Sequence, residues 1–550
     1  MAEPAQAGQV HTIPESELEL PSGKKPRLVS KPGSKKECKR AKQRREKKTG
    51  LPEPCSSEDV LWRDIIAVLG KDVVSKALED GTEFDSPFEF HQEVELEIAG
   101  LCSSGEAIAR SSDDQHPWTV ILPFALPGEK VRARIYRNAR LHSFADLLEI
   151  VTPNPELRDD SRIQCRYFGT CAGCQYQMLS YETQLELKRE VVVKAYKNFS
   201  ELPEASVPPI LFTVGSPLQY GYRTKITPHF EAPPKSARKT QSTETEGKPE
   251  WLKIGFNRMG TSKTMDIEDC PLATPVINDT YRPTRENIIK NIYTYKRGVS
   301  LLFRDSLDPT VPIPPREDND SVDALSSALE KHVCITDPKA TVREKVGRWI
   351  FEYPANSFFQ NNNSVLVPLT DYVRDAFPSS SVTTTSSDGA PPPPTHLVDA
   401  YCGAGLFAIT LSPHFQTVAG IELSQDSIKS ATHNAELNGI PSDKITFRAG
   451  DAADIFKVVG EFPPERTVLL IDPPRKGCDD NFIRQLVNFR CATVVYVSCN
   501  VHTQARDVGK ILKATEGEEV GRRYVLESVR GFDLFPQTAH VESVAVLRLA

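Results

Sequence analysis

The chain has 550 residues, too many for one ordinary core, so two to four domains are expected. Its hydrophobic fraction of 39% and charged fraction of 26% are those of a soluble globular protein. No apolar run approaches the roughly 20 residues that a membrane span needs. The opening MAEPAQAGQ has no charged-then-apolar signal and is not Arg-rich, so secretion and mitochondrial import are unsupported. The expected setting is the nucleus or the cytoplasm, where the 12 cysteines read as thiols, ligands or catalysts rather than disulfides.

Residues 1–57 are polar, rich in Lys, Pro and Ser, and read as a disordered basic tail. Between Lys24 and Lys48 thirteen Lys/Arg stand against Glu37 and Glu46, a local +11, which leaves −18 for the remainder of a chain whose net charge is −7. Such a run can tether RNA, direct nuclear import, or simply be solvated. Residues 58–85 are a helical segment. Leu61, Ile65, Val68, Val73 and Ala77 recur at helical spacing and predict one amphipathic helix over 58–80.

Residues 86–151 change texture. FHQEVELEIAG, GEAIAR, WTVILPFALPGEKVRARIYR and FADLLEIVTP are short strand-like runs punctuated by Gly and Pro, which predicts a small β-barrel. PFALPGEKVRARIYR resembles the TRAM domain, an RNA-binding barrel similar to the OB fold. Lys130, Arg132, Arg134, Arg137 and Arg140 make it basic, although a small barrel can also be a plain spacer.

Residues 152–390 read as a central α+β domain. It holds a cysteine cluster and two strand-like segments, GYRTKITPHF and WLKIGFNRMG. Low-complexity stretches near 231–250, 305–325 and 378–394 are expected to be surface insertions or linkers. Residues 391–550 are regular. Apolar strands alternate with helical stretches, which calls for an α/β fold with a parallel sheet covered on both faces. The last segment, RYVLESVRGFDLFPQTAHVESVAVLRLA, reads as two strands with a short connection. A late antiparallel strand on a Rossmann-like sheet suits methyltransferases that use S-adenosylmethionine.

DAYCGAGLF follows the strand at 395–399 and opens a helix, and Gly403 and Gly405 allow close backbone approach to a ligand. Glu422 ends the next strand, 17 residues beyond Gly405, where a carboxylate can bind ribose hydroxyls or serve as a helix N-terminal charge. S-adenosylmethionine and a nicotinamide cofactor both fit these features. LLIDPPRKG separates them. Asp472 sits at a strand end, Pro473 and Pro474 stiffen the loop, and Arg475 and Lys476 add positive charge. A D/N-P-P loop here resembles methyltransferases acting on nucleic-acid bases. Those that act on exocyclic amines usually carry an aromatic next, where this chain has Arg475.

TVVYVSCN places Cys499 at the end of the fifth strand, beside Asp472 on the fourth. A thiolate there suits methylation of carbon 5 of a pyrimidine. Its addition to carbon 6 makes carbon 5 nucleophilic, and a base must then remove the carbon 5 proton. Glu542, near the start of the last strand and two residues after His540, is the candidate base. An inert buried cysteine is the alternative reading.

FFQNN (358–362), DAYCGAGLF, IDPPRKG, VSCN and HVES follow the order and approximate spacing of the RNA uracil-5-methyltransferase family, which the chain resembles from about Glu89 to Ala550. Within the family it is most similar to the fungal branch that makes 5-methyluridine in the T-loop of tRNA. The resemblance implies that Gln360, Tyr401, Glu422 and Asp472 bind S-adenosylmethionine, that Cys499 is the nucleophile and that Glu542 is the base. Leu406 stands where some bacterial relatives have Asn, so no contact is carried over there.

Cys165, Cys171 and Cys174, at a Cys-x5-Cys-x2-Cys spacing, suggest a metal or an iron–sulfur cluster. Cys270 follows IGFNRMGTSK, a segment that resembles the bacterial rRNA uracil methyltransferase carrying a [4Fe–4S] cluster. The resemblance implies Cys165, Cys171, Cys174 and Cys270 as ligands, with zinc as the competing ion. The favoured partner is RNA, foremost tRNA with rRNA as the alternative, without a membrane or an obligate protein partner. Rival readings are an amine methyltransferase and a non-catalytic RNA-binding or tRNA-folding factor.

Overall fold

The computed structural model describes residues 50–111, 116–239, 247–313, 331–377, 393–450, 459–516 and 522–550. The basic stretch from Lys24 to Lys48 lies outside the described residues. Two compact units divide the chain, Met1–Ser161 and Arg162–Ala550.

Among the described residues, the first unit opens with two helices where one was expected, Ser57–Leu69 and Lys71–Asp80. Gly70 separates them at φ +93°, a conformation that a side chain would resist and that ends the first helix. Ser56 caps that helix, its hydroxyl accepting the Asp59 N–H at 3.2 Å. Trp62, Ile65, Leu69, Val74 and Ala77 share one core with Trp118 and Ile121.

Five strands close the barrel: β1 (Glu93–Leu101), β2 (Ala107–Arg110), β3 (Thr119–Leu122), β4 (Lys130–Ala139) and β5 (His142–Thr152), in the order β1-β2-β3-β5-β4. On β4, Val131, Ala133 and Ile135 point inward and the arginines between them point outward, the period of two that a half-buried strand imposes. The outward charges are partly engaged within the unit. Arg132 bridges Glu93 and Glu149 at 2.9 Å each, and Arg137 lies 4.0 Å over the Phe144 ring.

The second unit adds β6 (Leu211–Val214), then the short β7 (Lys225–Ile226), β8 (His229–Phe230), β9 (Ile254–Gly255) and β10 (Val299–Ser300). GYRTKITPHF yields only two-residue strands, because Pro228 supplies no N–H to a ladder. The antiparallel strands β11 (Phe303–Leu307), β12 (His332–Ile335), β13 (Thr341–Val346) and β14 (Trp349–Pro354) follow. β11 corrects one expectation: residues 305–307 are not a surface insertion but part of a strand buried throughout. Its polar residues find partners at long range, although Arg304 Nε has none. Arg304, fully buried, donates to the Tyr353 hydroxyl at 2.8 Å and pairs with Glu344 at 3.5 Å.

The remaining strands are β15 (His396–Ala400), β16 (Thr417–Glu422), β17 (Ile445–Ala449), β18 (Thr467–Ile471), β19 (Thr493–Ser498), β20 (Tyr524–Phe532) and β21 (Glu542–Leu549). They form an eight-stranded sheet in the order β17-β16-β15-β18-β19-β21-β20-β6. Strands β15 to β19 run parallel, and β21 is antiparallel to both β19 and β20. Every residue of β18 and β19 is buried, as helices on both faces require. The edge strand β6, which the sequence did not announce, pairs parallel with β20 (Arg530↔Leu211).

Helix Tyr181–Phe199 packs on helix Val501–Glu516. Gly509 makes their approach possible, since a Cβ there would sit 1.9 Å from the Ser200 carbonyl oxygen. Gly509→Ala is therefore expected to destabilise the protein by about 1–3 kcal/mol, seen as a lower denaturant midpoint.

Candidate active site

The site assembles where the parallel strands end. β15 leads into Tyr401, which holds φ +67°, unusual for a residue with a side chain. Gly403 follows at +53° and Gly405 at +90°. Gly405 is crowded, with Ile409 Cδ1 3.0 Å from any added Cβ, whereas nothing lies within 4 Å at Gly403. The loop is thus packed on one side and open on the other.

Glu422 ends β16 and is tied to that loop. Its carboxylate accepts the Gly403 N–H at 3.3 Å and the Ser424 N–H at 3.0 Å. Behind the loop, Asp399 is fully buried. One oxygen accepts the Ala408 N–H at 2.8 Å, and the other has no partner. Burial pushes its carboxyl well up, and Asp472 and Glu422 add to the shift. Asp399 was missed in the sequence, where an acid inside the apolar run HLVDA was the available signal.

Asp472 follows β18, and burial raises its carboxyl to about 7. Its loop is rigid. Gly477, at φ +77°, passes so close to Asp507 that a Cβ would meet that carboxylate at 2.4 Å. Asp507 accepts the Cys478 N–H and the Tyr496 hydroxyl, both at 2.8 Å. Gln360 is buried beside Phe359, while Phe358 stays exposed. Asn362 fixes this FFQNN stretch, donating to the Ser216 hydroxyl at 2.9 Å and to the Leu534 carbonyl at 3.2 Å.

The register of the last hairpin sets the reactive pair. Ser498 on β19 faces Ser543 on β21. One step outward lie Cys499 and Glu542, which interact electrostatically. Burial raises the Cys499 thiol to about 11, Glu542 and Asp472 add to the rise, and Arg475 opposes it. Glu542, 4% exposed, is raised to about 8 by burial and then by Asp472, again against Arg475. Arg475 is held to the turn after Cys499: its carbonyl accepts from Asn500 Nδ2 at 2.9 Å and Thr503 Oγ1 at 3.2 Å. His540 is pushed down to about 4 by burial, with Arg475 and Lys188 contributing, so it is neutral near pH 7.

The four cysteines form a separate group. Cys165 rises to about 11 and Cys171, Cys174 and Cys270 also rise, in each case chiefly through burial. Cys174 senses the other three electrostatically. Gln177 holds one end of the segment, accepting the Cys165 N–H at 3.1 Å. Asn278 holds the other, accepting the Cys270 N–H at 3.0 Å. Among the described residues no three His, Cys, Asp or Glu side chains are gathered closely enough to hold a metal ion.

A parallel sheet whose last neighbours run antiparallel, with a glycine loop and a strand-end carboxylate beside it, is the architecture of methyltransferases that use S-adenosylmethionine. Comparison with known proteins narrows this class. A family profile described as tRNA (Uracil-5-)-methyltransferase matches residues 331–549. The tRNA (uracil(54)-C(5))-methyltransferase of Schizosaccharomyces pombe is 42% identical over 519 residues, covering 94% of this chain and 88% of that protein. Its Saccharomyces cerevisiae namesake is 37% identical over 504 residues, covering 86% and 77%. The solved structure of the Pyrococcus abyssi tRNA (uracil-54, C5)-methyltransferase with S-adenosyl-L-homocysteine shares the fold, with a TM-score of 0.55 at 22% identity over 82% of this chain and all of that one. The chain belongs to the tRNA (uracil-5-)-methyltransferase family.

Two outcomes follow from the shared negative charge. Glu542→Gln removes a carboxylate beside Cys499, so the thiol titrates lower and alkylates faster at about pH 8, as peptide mass spectrometry would show. The Glu542 carboxyl is raised on folding, so its stabilising effect is present at low pH and lost as pH rises through about 8. The same variant should therefore gain roughly 2 °C or more in Tm at about pH 9 and little at about pH 4.

Proposed function

We propose that this chain methylates carbon 5 of the T-loop uridine of tRNA, the position 54 named for its fungal relatives. The observation that carries this is the hairpin register that sets Cys499 beside Glu542, next to Asp472. S-adenosylmethionine, when bound, supplies the methyl group. The residues present fit it. The loop is open at Gly403, Glu422 is fixed at the strand end for ribose hydroxyls, and raised carboxyls suit a site that receives a cation. Gln360, Tyr401, Glu422 and Asp472 are the residues we assign to hold it.

The target uridine is turned out of its stack into the cleft. The Cys499 thiolate adds to carbon 6, and the electron pair displaced toward carbon 5 bonds the methyl carbon, whose former bond to the donor sulfur breaks with its electrons left on that sulfur. Glu542 then takes the carbon 5 proton. The electrons of that C–H bond restore the ring double bond, and Cys499 leaves as thiolate. Arg475 favours the ionised forms of both Cys499 and Glu542.

The five-strand barrel is the TRAM-like RNA-binding element of this reading, within the division 1–57, 58–85, 86–151, 152–390 and 391–550. Cys165, Cys171, Cys174 and Cys270 hold a [4Fe–4S] cluster. In support, Cys174 senses the other three thiols electrostatically, and four thiolates are the ligand set of such a cluster, with zinc the competing ion. Protein purified without oxygen should contain iron and acid-labile sulfide, both lost in Cys270→Ser; stoichiometric zinc in place of iron would refute the cluster.

The direct test is nucleoside mass spectrometry after incubating the protein with unmodified tRNA and labelled S-adenosylmethionine. Label in 5-methyluridine supports the proposal, and label only in adenosine or cytidine overturns it. Cys499→Ala should abolish turnover with donor binding intact. Glu542→Gln should accumulate a covalent protein–RNA adduct on a denaturing gel.

A further inference from the structure

Helix Tyr181–Phe199 reaches the supports of both reactive residues. Near its C-terminal end, the Tyr196 hydroxyl donates to Gln504 Oε1 at 3.2 Å. Gln504, fully buried, donates in turn to the Tyr496 carbonyl at 2.8 Å and the Ser543 carbonyl at 3.1 Å. That amide therefore joins β19 and β21 one strand turn from Cys499 and Glu542.

Near its N-terminal end, the same helix holds the loop 533–541 that leads into Glu542. Lys188 and Asp533, neither of them exposed, form an ion pair. Lys188 Nζ also donates to the Phe535 carbonyl at 3.0 Å. Asp533 accepts the Tyr181 hydroxyl at 2.9 Å and the Phe535 N–H at 3.1 Å. Gln184 makes a reciprocal pair with Gln537: it accepts that residue's N–H at 2.9 Å and donates to its side-chain carbonyl at 3.0 Å. Gln537 sits at φ +70°, a conformation that its surroundings must impose.

Loop and helix are separated by about 350 residues of chain, and the loop's own bonds, such as Thr538 Oγ1 to the Phe535 carbonyl at 2.8 Å, tie it only to its neighbours in sequence. Lys188 is also costly where it stands, since a buried ammonium needs its partner. A loop that only connected two strands would not need such a device. We propose that Lys188 and Gln184 are positioning residues that hold Glu542 against Cys499 through the loop 533–541, an inference that rests on the roles assigned to those two residues above. Neither touches substrate. Their loss displaces the base and leaves the nucleophile in place, so carbon 6 addition and methyl transfer proceed while removal of the carbon 5 proton fails.

The test uses the full chain with unmodified tRNA and S-adenosylmethionine. Lys188→Met combined with Asp533→Asn removes both charges and keeps an acceptor for the Phe535 N–H, and Gln184→Met is the independent variant. The expected result is donor binding within about twofold of the unaltered protein, turnover lower by about 100-fold, and accumulation of the covalent protein–RNA adduct. Normal turnover in both variants overturns the proposal. So does lost turnover without adduct, or joint loss of donor binding and turnover in both, which is what a purely structural role gives. Glu542→Gln is run beside them. If it accumulates adduct and the two variants do not, the positioning role alone fails. If it accumulates none, the base assignment fails and takes this inference with it.

Discussion

Asp399 lies on β15, Asp472 just past the end of the adjacent β18, and Glu542 on β21 beyond β19, and burial pushes each of their carboxyls up. Cys499 shares the space, and two of those carboxyls hold its thiol up as well. Such crowding of acidic groups is unfavourable for the folded protein and is kept only where the surroundings leave no other arrangement. Here the surroundings are the fully buried strands β18 and β19. Arg475 is the cation that opposes the shift at both Cys499 and Glu542, and its backbone is secured to the turn that bears Cys499. The electrostatics are those of a receptor for positive charge. In the function proposed above, a cationic methyl donor bound there would relieve the crowding.

Rigidity around this cluster comes from outside the sheet. Proline stiffens one loop and the close passage of Gly477 over Asp507 locks its exit. The segment FFQNN is fastened by Asn362, and the loop before Glu542 by Lys188, Gln184 and Tyr222, whose hydroxyl donates to the Pro536 carbonyl at 3.1 Å. Segments of the second unit that precede β15 in the chain therefore brace the loops around Asn362 and Glu542 and also carry the four cysteines. The two roles meet at Gln175 and Tyr176, next to Cys174, whose N–H groups both donate to the Gln537 carbonyl.

Much of the sheet was legible, because strands buried on both faces are written as continuous apolar runs such as TVLLI and TVVYV. Cys499, Asp472, Glu422 and Glu542 stood out for the opposite reason: the first three end such a run and Glu542 opens one, each with an ionisable group. What escaped notice depends on partners far away in the chain. The polar strand β11 looked like an insertion, since the Arg304–Glu344–Tyr353 contacts that make it a buried strand are not local. Asp399 was hidden within its own strand. The break at Gly70 is a backbone event that side-chain periodicity passes over. The register that joins Cys499 to Glu542 is set by pairing, which no single segment records.

β6 and β20 are hydrogen-bonded neighbours, and Arg530 Nε donates to the Phe212 carbonyl across 318 residues of sequence. A ribosome makes the first of these strands long before the second. During that interval Leu211 and Phe212 have no sheet to join, and the helix Tyr181–Phe199 has no loop to hold. Closing so distant a contact is slow, and until it closes the backbone of β6 lacks its partner strand. Completion of the eight-stranded sheet is thus a late event in the synthesis of each chain.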